Sequence, residues 1–168
     1  AASRLVPYKS MDLIIQAFAQ DPLKRQLKVV GDGPEFQRLK RLAEGSPHIE
    51  LIGYLQGEKL HQLMQRAQAF VFAADEDFGI VPLEAQACGT PVIAYGHGGA
   101  LETVKGLEHH QQATGVYFTE QTVASLSAAI EAFEAHEFSP QACRLQAEAF
   151  SNAVFTQRLE TLVSEKLN

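Results

Sequence analysis

The sequence predicts a three-layer α/β sandwich: a mostly parallel sheet, helices on both of its faces, and extra helices at the C-terminal end. Three observations carry this. Short apolar runs alternate with amphipathic stretches at helical spacing through most of the chain. The run over residues 69–74 lacks polar alternation, the mark of a strand covered on both sides. Glycines cluster where apolar runs end, at Gly31, Gly33, Gly53, Gly79, Gly98 and Gly99.

The elements follow in order. Residues 11–19 set Leu13, Ile14, Ala17 and Phe18 at helical spacing. Residues 27–31 read as a strand, closed by the turn Gly31-Asp32-Gly33-Pro34. Residues 35–44 form a helix, and Pro34 suits its first turn. Residues 49–53 are the next strand. Residues 58–67 are a helix with Leu60, Leu63 and Met64 on one face. After the strand at 69–74, residues 81–88 make a helix that ends at Gly89. Residues 91–95 are a strand, and Gly98-Gly99 opens a short helical piece over 100–105. Residues 106–114, with His109 and His110, read as a loop. Residues 115–118 are a short strand and 122–135 a helix. Residues 139–167 have helical composition, broken near Phe150-Ser151. Right-handed connections are expected throughout.

Composition excludes several classes. The chain has 168 residues, enough for one domain with its own core. Hydrophobic residues make up 46% and charged residues 20%, ordinary for a globular protein. A net charge of -6 argues against a general nucleic-acid partner. No apolar run approaches a membrane span, and no signal-peptide pattern opens the chain. Cys88 and Cys143 stand at no metal-ligand spacing. Cys88, at a helix end, reads as a small buried residue, and a reducing, cytosolic setting fits. The first residues, Ala1 to Pro7, read as the tail of a strand running into a loop, so the chain is expected to be a piece of a longer protein.

Ligands of an open parallel sheet bind beyond the C-terminal ends of its strands. The polar and glycine-rich positions fall at those ends: Arg4 and Lys9, then Gly31 to Gly33, Gly53 and Tyr54, Asp75 to Gly79, and His97 to Gly99. Two glutamates, Glu76 and Glu84, stand eight positions apart across Gly79. A helix N-terminus attracts anions, so acids beside it make sense if they address neutral hydroxyls of the same ligand. A nucleotide sugar supplies both, a diphosphate for the amides and ribose and hexose hydroxyls for the carboxylates. In that reading Arg4 and Lys9 stabilise the charge of a departing diphosphate. Gly79 permits close backbone approach at Phe78-Gly79-Ile80. Glu84 accepts hydrogen bonds from the ribose, Glu76 addresses the sugar, and His97 touches the donor. Glu102 is expected to cap the short helix or order the glycine loop. Direct glycoside hydrolysis would also use two carboxylates, but the cations and glycines favour a phosphate-bearing donor. No metal site is expected from Asp77 or the His109-His110 pair.

The segments Arg4-Leu5-Val6-Pro7-Tyr8-Lys9, Val30-Gly31-Asp32-Gly33-Pro34-Glu35, 76–84, and Gly98-Gly99-Ala100-Leu101-Glu102 occur in this order. Together they resemble the C-terminal, donor-binding half of retaining family-four glycosyltransferases of the GT-B fold. The resemblance covers residues 3–118 well and the final helices more loosely. It implies a Rossmann-like nucleotide-sugar-binding domain over residues 1–138 and a helical extension packed on it over 139–168. It implies that Arg4 and Lys9 bind the diphosphate and that Glu76 contacts the transferred sugar. Phe78, Gly79 and Ile80 then offer backbone contacts, Glu84 holds the ribose, and Gly53, Tyr54 and Leu55 lie beside the base; His97 and Gly98 complete the donor side. It also implies retention of anomeric configuration without a catalytic metal or cofactor.

Such enzymes bind the acceptor on an N-terminal domain that this chain does not contain, so the piece alone is expected to transfer little. The likeness to bacterial mannosyltransferases of surface polysaccharide synthesis favours GDP-mannose, with UDP-hexoses next. The longer enzyme is expected in the cytoplasm, associating peripherally with the inner face of the membrane. The terminal helix, with Phe150, Val154, Phe155, Leu159 and Leu162, is expected to leave apolar surface uncovered and favour self-association. Two other readings are a nucleotide-sugar epimerase of the same design and a stand-alone mononucleotide-binding or regulatory module.

Overall fold

The computed structural model describes residues 1–167. Five strands run parallel: β1 (Leu27–Val30), β2 (Ile49–Gly53), β3 (Phe70–Phe72), β4 (Val92–Tyr95) and β5 (Gly115–Phe118). Helices alternate with them: α1 (Met11–Gln20), α2 (Phe36–Leu42), α3 (Glu58–Gln65), α4 (Ile80–Ala87), α5 (Ala100–Thr103), α6 (Val123–Glu134), α7 (Pro140–Glu148) and α8 (Asn152–Leu167).

Successive strand residues point to opposite faces, and both faces are apolar. Val71, Ile93 and Val116 face a core made with Ile14, Ile15 and Phe18 of α1 and Leu126 and Ile130 of α6. Their neighbours Phe70, Phe72, Val92 and Ala94 face a second core with Met64 of α3, Ala85 of α4 and Ala100 of α5. A helix layer on each side explains why β3 shows no polar alternation: its three residues are all buried.

The strands form two groups rather than one continuous sheet. β1 pairs with β2, Leu27 opposite Ile49, with a slip that sets Val30 opposite Gly53. β4 lies between β3 and β5, pairing Phe70 with Val92 and Ile93 with Val116. The leading residues run parallel to β1: Val30 N–H donates to the Ala1 carbonyl at 2.9 Å and Ser3 N–H to the Val30 carbonyl at 3.0 Å, with Ala2 bridging Val30. A cavity of about 610 Å³ is lined in part by Ala1, Ala2, Leu27, Phe70 and Val71.

Local chemistry sets the ends of the helices. The Thr122 hydroxyl accepts from the Ser125 N–H at 3.2 Å and caps α6. Ser139 caps α7, with Pro140 at its first position. α7 packs against α4, and α8 restarts at Ser151, whose hydroxyl accepts from the Val154 N–H at 3.4 Å. Three expectations change. Residues 106–114 are not plain loop: Leu107–Gln112 winds into 3-10 turns kinked at His110 (φ 51°). No side-chain hydrogen bond caps α5; Glu102 meets the glycine loop through its backbone, its N–H donating to the Gly99 carbonyl at 3.1 Å. Cys88 is half-buried at the end of α4, whereas Cys143 is fully buried. Desolvation raises the Cys143 thiol to about 11.

Candidate functional site

All five strands end at one edge, and the loops there form two neighbouring clusters. The first surrounds a cavity of about 580 Å³, lined by Arg4, Asp32, Tyr54, Leu55, Gln56, His61, Val81 and Glu84 among others. Its wall exists because two backbone segments cross closely. Leu5 N–H donates to the Asp32 carbonyl at 2.9 Å, and Glu35 N–H donates to the Leu5 carbonyl at 3.1 Å. A Cβ at Gly31 would lie 1.8 Å from the Ser3 carbonyl oxygen, and one at Gly33 would lie 2.4 Å from that of Leu5. Only glycine lets these strands of chain pass. Across the cavity, the Tyr54 hydroxyl donates to Gln56 Oε1 at 2.8 Å.

The second cluster gathers Lys9, Asp75, Glu76, His97 and Gly98. The Lys9 ammonium pairs with the Glu76 carboxylate; their side chains are 15% and 19% exposed. Lys9 ends a 3-10 turn, Pro7–Lys9, and its ammonium lies 5.0 Å from the Tyr8 ring centroid. Burial pushes this ammonium below the usual lysine range. The Glu76 carbonyl accepts the Gly99 N–H at 2.8 Å. A Cβ at Gly98 would sit 2.4 Å from that same carbonyl oxygen. One residue earlier in each loop, His97 Nδ1 lies 2.8 Å from Asp75 Oδ1, while the His97 ring stacks on Tyr95 at 5.8 Å.

α4 follows the Glu76 loop, with its N-cap at Gly79 and Glu84 in its second turn. Gly79 has φ 78°, and a Cβ there would press to 3.2 Å on the Phe72 ring. No side chain caps α4. The N–H groups of Ile80 and Val81 open its first turn, Pro82 has none, and the end is suited to an anion. Ile80 is exposed, and the Phe78 ring makes an edge contact with Phe150 at 5.8 Å. Gln121 Nε2 donates to the Ala73 carbonyl at 2.7 Å and ties the loop after β5 to the end of β3.

The structure therefore brings most of the expected residues to one edge, with two changes. Arg4 and Lys9 stand in different clusters: Arg4 lines the cavity that also holds Glu84, and Lys9 pairs with Glu76. The intervening 3-10 turn sends the two side chains to different clusters. Gly53 is not a cavity wall; its carbonyl accepts the Gly31 N–H at 2.9 Å, and its φ of 84° ends β2. Gln56, His61 and Gln121 were not foreseen at the site, whereas Asp32 was expected there. For His61 the helical period of α3 was the available signal, since it follows the apolar Leu60 by one position. Among the described residues, no three His, Cys, Asp or Glu side chains gather as a metal site.

The family profile of "Glycosyl transferases group 1" aligns with residues 1–150 of the sequence, the stretch that carries this edge. The chain belongs to the group 1 glycosyl transferases. A relative from Corynebacterium glutamicum, a "GDP-mannose-dependent monoacylated alpha-(1-6)-phosphatidylinositol monomannoside mannosyltransferase", is 41% identical over 114 residues, covering 61% of this chain and 30% of that protein. A "D-inositol 3-phosphate glycosyltransferase" from Geodermatophilus obscurus is 35% identical over 165 residues, covering 88% of this chain and 36% of that protein. Among solved structures, Anabaena Alr3699/HepE in complex with UDP-glucose superposes with a TM-score of 0.79 at 25% identity, over 97% of this chain and 47% of that one. This group 1 chain thus spans about a third of the length of those curated relatives. Its fold is that of one half of a GT-B enzyme. Among the described residues, no helix is long and apolar enough to cross a membrane.

Proposed function

We propose that this chain is the donor-binding part of a retaining hexosyltransferase. The donor is a nucleotide diphosphate sugar, GDP-mannose ahead of a UDP-hexose. The observation that carries this is the grouping of Lys9, Glu76 and the uncapped α4 N-terminus beside a cavity holding Arg4 and Glu84. In this reading the base lies against Tyr54 and Leu55, the ribose hydroxyls donate to Glu84, and Arg4 reaches the diphosphate from the cavity. The diphosphate takes the Ile80 and Val81 N–H groups and Lys9. As the bond between the anomeric carbon and the diphosphate oxygen breaks, negative charge grows where those donors already point. Glu76 holds a hexose hydroxyl and faces the positive charge that develops on the ring. None of these roles requires a metal.

GDP-mannose is placed first because relatives from Corynebacterium glutamicum and Mycolicibacterium smegmatis, 41% and 39% identical, carry GDP-mannose dependence in their names. The acceptor, a glycan or lipid-linked molecule at the cytoplasmic face of the membrane, is proposed to bind a further domain of the longer polypeptide.

Isothermal titration of the chain with GDP, GDP-mannose, UDP, UDP-glucose and ADP tests the reading. A 1:1 complex with GDP-mannose is expected, unaltered by EDTA. Glu84→Ala is expected to weaken it about tenfold, or ~1.4 kcal/mol. Failure of every ligand to bind would overturn the proposal, and tighter binding of UDP-glucose than GDP-mannose would reverse the order of donors.

A further inference from the structure

The Lys9–Glu76 pair deepens the donor reading on which this inference rests. Both partners are anchored on backbone that cannot yield easily. Glu76 is held through its carbonyl by Gly99 N–H at 2.8 Å, and its loop is pinned through Asp75 to His97, also at 2.8 Å. Lys9 stands at the end of a turn in which Lys9 N–H donates to the Val6 carbonyl at 3.1 Å and Ser10 N–H to the Pro7 carbonyl at 3.0 Å. The side chains are mostly buried, so water screens their charges less than it would at an open surface.

A phosphate oxygen that reaches Lys9 must therefore share the ammonium with Glu76 or displace it. Shared, it stands next to a carboxylate, and the two anions repel. Displaced, Glu76 loses its cation and needs another donor. A sugar hydroxyl supplies one, as a charge-assisted O–H···O⁻ hydrogen bond. A bare nucleoside diphosphate does not.

We infer that Glu76 competes with the diphosphate for Lys9, yielding to a donor whose sugar hydroxyl satisfies the carboxylate and expelling the nucleoside diphosphate once the sugar has gone. When the glycosidic bond breaks, its electron pair stays on the terminal phosphate oxygen, so the diphosphate gains negative charge. At the same moment the carboxylate loses its hydroxyl partner. The loss of its hydroxyl partner returns Glu76 to Lys9, and the added charge on the diphosphate raises the repulsion between that product and the carboxylate. The same residue thus favours glycosyl diphosphates on entry and clears the product afterwards.

Titration calorimetry on the wild-type chain and on Glu76→Gln separates the outcomes. The amide keeps the shape of the side chain and removes its charge. Glu76→Gln is expected to bind GDP about threefold to tenfold tighter than wild type, while GDP-mannose is not tightened. Glu76→Ala should give the same order, and equal thermal midpoints would show that the fold is kept. In a Lys9→Ala background the tightening should vanish, because no ammonium is left to contest. GDP affinity that is unchanged or weaker in both Glu76 variants overturns the inference while leaving the donor reading intact. Absence of binding by GDP, GDP-mannose, UDP and UDP-glucose to wild type overturns both.

Discussion

The Nδ1–H of His97 donates to the Asp75 carboxylate at 2.8 Å, joining the loop after β4 to the loop after β3. The donor must be the imidazole, because an ionised carboxylate only accepts. The contact lies one residue before Glu76 and one before Gly98, which meet through the Gly99 N–H and the Glu76 carbonyl. Two hydrogen bonds thus set the position of the carboxylate assigned to the sugar.

His97→Ala is expected to weaken GDP-mannose binding about threefold to tenfold while shifting the thermal midpoint by less than ~2 °C, because both side chains of the pair are largely exposed. Asp75→Asn retains an oxygen that accepts the same bond, so it should stay close to wild type in both measurements. Calorimetry and thermal melting of the two variants make the check. A large loss of stability in His97→Ala would show that the pair serves the fold rather than the site.

Gly98 offers a backbone test of the same junction. Its φ is 56°, and a Cβ would lie 2.4 Å from the Glu76 carbonyl oxygen. Gly45 also has a positive φ, 82°, but nothing lies within 4 Å of its Cβ position. Gly45→Ala is expected to cost about 1 kcal/mol from conformation alone. Gly98→Ala is expected to cost about 2 to 3 kcal/mol and to loosen donor binding, because the methyl group must push Glu76 aside. Denaturant unfolding of both variants measures the difference.

Most of the architecture was legible because it follows local periodicity. The uninterrupted apolar run before Asp75 foretold a strand covered on both faces, and Phe70, Val71 and Phe72 divide between the two cores. The break near Phe150-Ser151 was readable because Ser151 can cap a new helix. What periodicity could not reveal were contacts between distant residues. Lys9 and Glu76 are 67 positions apart, and Gln121 reaches the Ala73 carbonyl across 48. Their pairing depends on how loops converge after the sheet has formed. The two strand groups were likewise hidden, because apolar strands of either group look alike in sequence. The 3-10 turns at Leu107–Gln112 escaped notice because their polar side chains show no apolar period.

Asp21 provides a prediction about acid stability away from the site. Burial alone would raise its carboxyl. The backbone N–H groups of Arg25 and Leu23, with the Arg25 guanidinium, outweigh burial and hold it below the usual aspartate range. A carboxyl depressed in the folded state adds stability above its unfolded pKa of about 4, and that stability is lost as pH falls through the folded value. Asp21→Asn is therefore expected to cost about 1 to 3 kcal/mol at pH 7, since it breaks a buried, charge-assisted network. The gap between variant and wild type should narrow as pH drops below about 4. Urea unfolding at neutral and acidic pH compares them.

The last prediction concerns α8. Phe155, Leu159, Leu162 and Val163 are 64%, 47%, 52% and 47% exposed, and their spacing of four, three and one places them on one side of the helix. A stripe of this kind on a small protein seeks cover. A second copy of the chain offers an identical stripe, and two helices can bury their apolar sides against each other in an isologous contact. Sedimentation is expected to show concentration-dependent association of the wild type. The double variant Phe155→Ser, Leu159→Ser should shift the equilibrium towards monomer without changing donor affinity, because neither residue lines the candidate site. A wild-type chain that sediments as a monomer at high concentration would show that this stripe does not bring two copies together.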